Sequence, residues 1–224
     1  MFNTVTIHQP VFFPYMGTIA KIIECDYFIF LDDVQFDDGG FQNRNRILTK
    51  DGIRWITVPL KSPRYMRDLR EIEISYNKNW QIALLQMLQC TYGKCTYFTG
   101  VYNLVEEILS NNYKYLVDLN IDSTIAILDY LKVKKKVYKS SDFINKPPDK
   151  TDRIIYLVKA VEGNCFISGD KAKDYLEIEK FGDIKVCFQN YKCKEYQQKW
   201  SDKFVPLMSI IDYVMYMGSD KSGL

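Results

Sequence analysis

The sequence holds a single histidine, His8, among 224 residues, and its 30 Lys/Arg against 28 Asp/Glu leave a net charge of only +2. One imidazole cannot complete a His-rich metal site. The near-balance of charge argues against a non-specific nucleic-acid binder, whose affinity rests on a large cationic field. No apolar run reaches the roughly 18 to 20 residues that cross a bilayer. The opening MFNTVTIHQPVFFPY lacks a basic start, and prolines interrupt its apolar part, so it does not read as a secretion signal. A cytoplasmic protein without a membrane span is therefore expected, its cysteines 25, 90, 95, 165, 187 and 193 being thiols. Their closest spacings, C-x4-C and C-x5-C, are not those of a zinc ribbon or a redox pair, and no metal site is expected. Glycine-rich phosphate loops are missing too. What is abundant is apolar and aromatic surface, 47% and 15% of the residues, which excludes a disordered chain.

Val5-Thr6-Ile7-His8 reads as a short strand, and prolines at 10 and 14 keep the following loop out of helix. Gly17 precedes a short helix with Ile19, Ile22 and Ile23 on one face. Tyr27-Phe28-Ile29-Phe30-Leu31 is a continuous apolar run, the pattern of a strand covered on both faces, and it ends at Asp32-Asp33. Strands are predicted at Arg54–Leu60 and Glu71–Tyr76. Asn77 is placed as the cap of a helix carrying Trp80, Leu84, Leu85 and Leu88, with further helices at 101–110 and 122–131. A basic strand edge (132–139) and a linker (145–150) follow, and Thr151 is placed as the next helix cap. Strands at Cys165–Ile167 and Ile184–Phe188 and a final helix from near Ser201 to Gly218 complete the chain. The alternation predicts one α/β domain over 1–224, Rossmann-like, with a mostly parallel sheet and a helical subdomain at about 77–131.

In open α/β sheets, ligands sit beyond the carboxyl ends of the strands. His8 and the two aspartates fall at such ends. An imidazole there suits general-base work on an amine or hydroxyl. Asp32 and Asp33 point to opposite faces, so one is available as a base, a magnesium contact or a sugar-hydroxyl acceptor while the other caps a turn or pairs with an arginine. In Gln42-Asn43-Arg44-Asn45-Arg46, if extended, the two arginines share one face and Asn43 and Asn45 the other. Two guanidinium forks can hold a phosphate, diphosphate or carboxylate; the competing reading is an exposed polar edge that balances nearby aspartates. Ser168-Gly169 opens a short helix containing Tyr175, and its free N–H groups suit an anion. The alternative there is a turn that needs glycine for its backbone. Tyr15, with Phe12 and Phe13, either floors a base or sugar pocket or fills core. Gln9 and Gln35 complete the substrate-binding set. Asp212, an acid inside an apolar segment, either faces water or reaches a buried partner.

Several of these residues recur in one order. Ile7-His8-Gln9-Pro10, Pro14-x-x-Gly17, Lys21-Ile22, Phe30-Leu31-Asp32-Asp33-Val34-Gln35-Phe36, Gln42-Asn43-Arg44-Asn45-Arg46-Ile47 and Thr57-Val58-Pro59 resemble the signature of the WbqC-like protein family. The resemblance continues through Ile167-Ser168-Gly169, Tyr175, Tyr196-Gln197, Phe204-Val205-Pro206 and Ser209-Ile210-Ile211-Asp212. Tyr15 and Thr18 stand where that family usually has Trp and Tyr, and Asp37-Asp38-Gly39-Gly40 replaces a more basic stretch. The resemblance implies a transferase of O-antigen or other surface-polysaccharide synthesis that passes glycine or another acyl unit to an amino sugar. His8 would then be the base and Asp32 its orienting group or the amine's partner. Arg44 and Arg46 would hold a nucleotide diphosphate, a carrier phosphopantetheine or an acyl phosphate. The implied partners are a nucleotide-linked or lipid-linked sugar and an acyl carrier protein or CoA-bound donor. Two other readings stand beside it. One is an ATP- and magnesium-dependent adenylate-forming ligase, although Tyr15-Met16-Gly17-Thr18 occupies the place of its His-x-Gly-His motif. The other is a non-catalytic sugar-nucleotide-binding subunit.

Overall fold

In the computed structural model, which describes residues 2–224, five parallel strands form the central sheet. In chain order these are β1 (Thr4–His8), β2 (Tyr27–Phe30), β5 (Lys136–Lys139), β6 (Cys165–Ser168) and β7 (Lys185–Phe188). A separate hairpin, β3 (Arg44–Thr49) with β4 (Gly52–Thr57), lies between β2 and β5 in the chain. The helices are α1 (Met16–Glu24), α2 (Trp80–Tyr92), α3 (Phe98–Ser110), α4 (Leu116–Tyr130), α5 (Lys150–Ala160) and α6 (Ile210–Met217).

The spatial order is β5-β2-β1-β6-β7, with every neighbouring pair parallel. The chain steps outward from β1 to β2 and β5, crosses back, and steps the other way through β6 to β7. That is a Rossmann-like sheet, and its winding reverses between β1 and β6.

Strand periodicity explains how the sheet is covered. Val5 and Ile7 of β1, Ile29 of β2 and Phe166 of β6 pack against Leu157, Val158 and Val161 of α5 and its continuation. Phe28, Phe30 and Ile167 face the other way, into a core with Ile19 and Ile22 of α1, the helices α2–α4 and the last helix. His8 pairs with Phe30 in register and so emerges on the α1 side.

Several local expectations change. Glu71–Tyr76 forms no ladder; a 3-10 turn (Leu69–Glu71) and isolated bridges, Leu60 to Ile74 and Glu73 to Tyr115, bury the two isoleucines instead. Asn77 is not a cap, because α2 starts at Trp80 after Asn79. Asp149, not Thr151, caps α5 by accepting the Asp152 N–H at 3.0 Å, while the Thr151 hydroxyl accepts from Glu177. The last helix starts at Ile210 rather than near Ser201, since Pro206 and the left-handed Leu207 (φ 63°) stand before its Ser209 cap. Helix α4 starts at Leu116, a turn and a half earlier than its apolar spacing suggested.

Candidate active site

The reversal point puts His8, the last residue of β1, beside Ser168, the last residue of β6. This is where an open parallel sheet leaves a crevice. The half-buried His8 ring donates from Nδ1 to the Gln9 carbonyl at 2.8 Å, which leaves the Nε2 lone pair free. Burial, then the nearby charge of Lys21, carries the His8 pKa down from 6.5 to about 3, against a smaller upward pull from the Gln9 carbonyl. The imidazole is therefore neutral at any physiological pH.

The 9–15 loop beyond His8 contains two prolines and a left-handed Phe13 (φ 38°), so other elements must hold it. Asn45 does so from β3, donating to the carbonyls of Phe12 (3.2 Å) and Phe13 (2.7 Å). Asn120 of α4 donates to Pro10 and Gln42, Ser209 donates to Phe13, and the Gln42 amide reaches Gln9 at 3.1 Å. Phe12 and Phe13 are fully buried and pack into the core with Trp80, so they floor no pocket. Tyr15 is half-buried at the loop's end, edge-on to Tyr191.

Both aspartates are engaged. Asp32 accepts the N–H (2.9 Å) and hydroxyl (2.6 Å) of Ser141, so it caps the turn after β5, and the group that orients His8 is the Gln9 carbonyl. Asp33 sits between Lys146 (3.0 Å) and Arg153 (2.6 Å). Burial pushes its pKa up, but the Ser140 hydroxyl, Lys146 and Arg153 together hold it below the ordinary value. The pair thus does what two alternating acids at a strand end can do: one caps a turn, the other pairs with an arginine. They build the β2–β5 wall of the crevice.

The pentad splits along strand β3. Asn45 is buried and Asn43 donates to the Val58 carbonyl at 3.1 Å. Arg44 and Arg46 lie outward, over the Trp55 ring at 4.7 and 5.9 Å. Arg44 uses its fork on the carbonyls of Gly39 and Gly40, whereas Arg46 uses one arm on the Leu207 carbonyl and its buried Nε has no partner. Gln35 is exposed and its backbone bridges to Asp68.

At β6, Gly169 has an ordinary φ of −75°, so its backbone does not require glycine; a Cβ there would meet only open space. The following 3-10 helix spans five residues, Asp170–Asp174, begins with an acid, and is too short to gather a terminal dipole for an anion. Tyr175 closes it and stands 56% exposed. The buried Gln189 Nε2, just past β7, has no hydrogen-bond partner.

Residue patterning gave no sign that Lys21 is held inside. It is buried on α1, and burial lowers its pKa from 10.5 to about 8, with the nearby Cys25 thiol pulling the other way. A depression of about 500 Å³ at the opposite end of the sheet is lined by Asn3, Asp26, Tyr27 and Lys134–Lys136. Its groups are already used: Lys135 on the Ile23 and Cys25 carbonyls, Asp26 on Thr4, Lys136 over the Tyr27 ring. No strand delivers its carboxyl end there.

The fold is α/β, with a Rossmann-like sheet whose winding reverses between β1, which ends at His8, and β6. The model of the WbqC-like protein family matches residues 9–223, and the chain belongs to that family. It is 29% identical over 221 residues to the uncharacterized protein Rv1507c of Mycobacterium tuberculosis, a match covering 96% of this chain and 94% of that one. No solved structure matches it. Among the described residues, no helix is long and apolar enough to cross a membrane, and no group of three or more His, Cys, Asp or Glu is placed to hold a metal.

Proposed function

We propose that the protein is a transferase of surface-polysaccharide synthesis that joins an acyl unit, glycine or a similar group, to the amine of a nucleotide-linked or lipid-linked sugar. The observation that carries this reading is His8: a neutral imidazole at the reversal point, its Nδ1–H fixed on a backbone carbonyl and its Nε2 lone pair free. In the proposed step the sugar amine attacks the acyl carbonyl and a C–N bond forms. The C–S bond of a thioester donor, or the C–O bond of an acyl phosphate, breaks. The amine proton passes to His8 Nε2 and from there to the departing thiolate or phosphate. Gln9, next in the chain, and Tyr15, at the end of the same loop, are the candidates for orienting the substrate; Ser168, Tyr175 and Gln189 lie at the same end of the sheet. Asp32 and Asp33 act as the wall that keeps the crevice in shape.

The test is to incubate the protein with UDP- and dTDP-linked amino sugars and a carrier- or CoA-bound glycyl donor, and to look for the amide by mass spectrometry. Wild type is expected to form it, and His8→Gln to slow it about 100-fold or more at unchanged folding. Pyrophosphate release from ATP in place of amide formation would point to the adenylate-forming ligase. Sugar-nucleotide binding without any product would point to a non-catalytic subunit.

A further inference from the structure

We infer that Lys21 is the anion-binding cation of the crevice, its buried ammonium taking a phosphoryl group of the ligand beside His8. The inference rests on the reading of the crevice as a ligand site and names the chemistry that the site recognises.

Helix α1 is covered on all sides from Met16 to Ile22, and Lys21 within that run is 5% exposed. None of the ion pairs among the described residues includes it. The other lysines held inward are partnered: Lys135 by the Ile23 and Cys25 carbonyls, Lys146 by Asp33 and the Ser140 carbonyl. A lysine buried along nearly all of its length and without an ion pair is costly, and such groups gather at functional sites, where a ligand supplies the missing charge.

Its neighbours point the same way. His8 and Phe30 share the sheet face that α1 covers, and the charge of Lys21 is felt at His8. The other titratable neighbour is the Cys25 thiol, which burial pushes up to about 12. Both are neutral, so neither balances the ammonium.

The β1–α1 loop, the usual place for a phosphate in such folds, offers fewer backbone donors than its length suggests. Pro10 and Pro14 have no N–H, and the Phe12 N–H is used on the Gln42 carbonyl at 3.2 Å. The Tyr15 ring lies over the start of α1, so close that a Cβ on Gly17 would stand 2.4 Å from its hydroxyl. Full positive charge for an anion on this side comes from a side chain, and Lys21 is the one cation on α1. An anion paired with Lys21 also removes part of what depresses His8, so ligand binding makes the imidazole a better base.

The probe is inorganic pyrophosphate. Trace acetylation of wild-type Lys21, read by peptide mass spectrometry, is expected to fall when pyrophosphate saturates the protein, and acetate is expected to protect far less. Lys21→Met, which keeps the stem and removes the charge, is expected to melt at a higher temperature than wild type and to bind pyrophosphate at least about tenfold more weakly. Arg46→Ala, on the outward face of the hairpin, is expected to keep the affinity. Pyrophosphate binding undiminished in Lys21→Met, or labelling of wild-type Lys21 indifferent to pyrophosphate, would overturn the inference; equal protection by acetate would overturn its phosphoryl part. Should Lys21→Met fail to fold, the labelling of wild type decides alone. Pyrophosphate binding at Lys21 without amide product in the transfer assay would count against acyl transfer and leave this inference standing.

Discussion

His8 is the one imidazole in the chain, which makes its energetics separable from everything else. The folded protein holds its pKa near 3, against 6.5 for the free side chain. Between those values the unfolded chain binds a proton that the folded protein refuses, so stability rises with pH and is lost as pH falls below 6.5. The slope is at most about 1.4 kcal/mol per pH unit, so a loss of about 1–2 kcal/mol is expected between roughly pH 6.5 and pH 5, before most carboxylates titrate. His8→Gln should flatten that limb in urea melts across the range; an unchanged slope would mean that the ring is not held neutral. The position of His8 was readable, because an apolar strand ending at a histidine and a proline places it at a carboxyl end. The burial of Lys21 was not readable. A lysine in a nine-residue helix looks like a solvent-facing charge, and only the packing of hairpin, long helices and last helix around α1 covers it.

At the scale of elements, β2 and β6 were legible because buried parallel strands are continuous apolar runs, here with acidic and glycine stops. The hairpin was harder. Gln42–Arg46 reads as a polar cradle, and the strand period does divide it as expected, but each side is used on the protein itself. Asn45 points in and ties down Phe12 and Phe13; Arg44 and Arg46 point out and lie over Trp55. A one-dimensional pattern cannot tell an asparagine that holds substrate from one that holds the loop that holds substrate. Asn45→Ala orphans the Phe12 carbonyl, leaves that of Phe13 only its Ser209 bond, and is expected to cost about 1–3 kcal/mol in urea unfolding. Because the freed loop carries Gln9, ligand affinity at the crevice should fall as well. A stable variant with unchanged affinity would show that the 9–15 loop holds its own shape.

Across the whole molecule, the last helix closes the structure around one buried acid. Asp212 is fully buried and accepts from Tyr92 of α2, Tyr196, Gln198 and the Leu48 N–H of β3. Burial raises its pKa, and these donors from Tyr196, Tyr92 and Gln198 oppose that rise. One carboxylate thereby joins hairpin, long helices and tail, and with Ser209 it presses them on the loop beside His8. From sequence, Asp212 stood between a wet face and a buried partner. The choice depended on two tyrosines distant in the chain, which no local pattern links. The same long-range assembly places one imidazole alone at the reversal point of the sheet, where its ring signal reports occupancy of the crevice. The most direct test is therefore to follow the His8 ring by NMR while adding UDP- and dTDP-linked amino sugars, a CoA-bound acyl donor, and ATP with magnesium. A saturable shift of that single resonance with a sugar nucleotide or acyl donor is the expected result. A ring signal that stays still while a ligand demonstrably binds the protein would place the functional site elsewhere on the molecule.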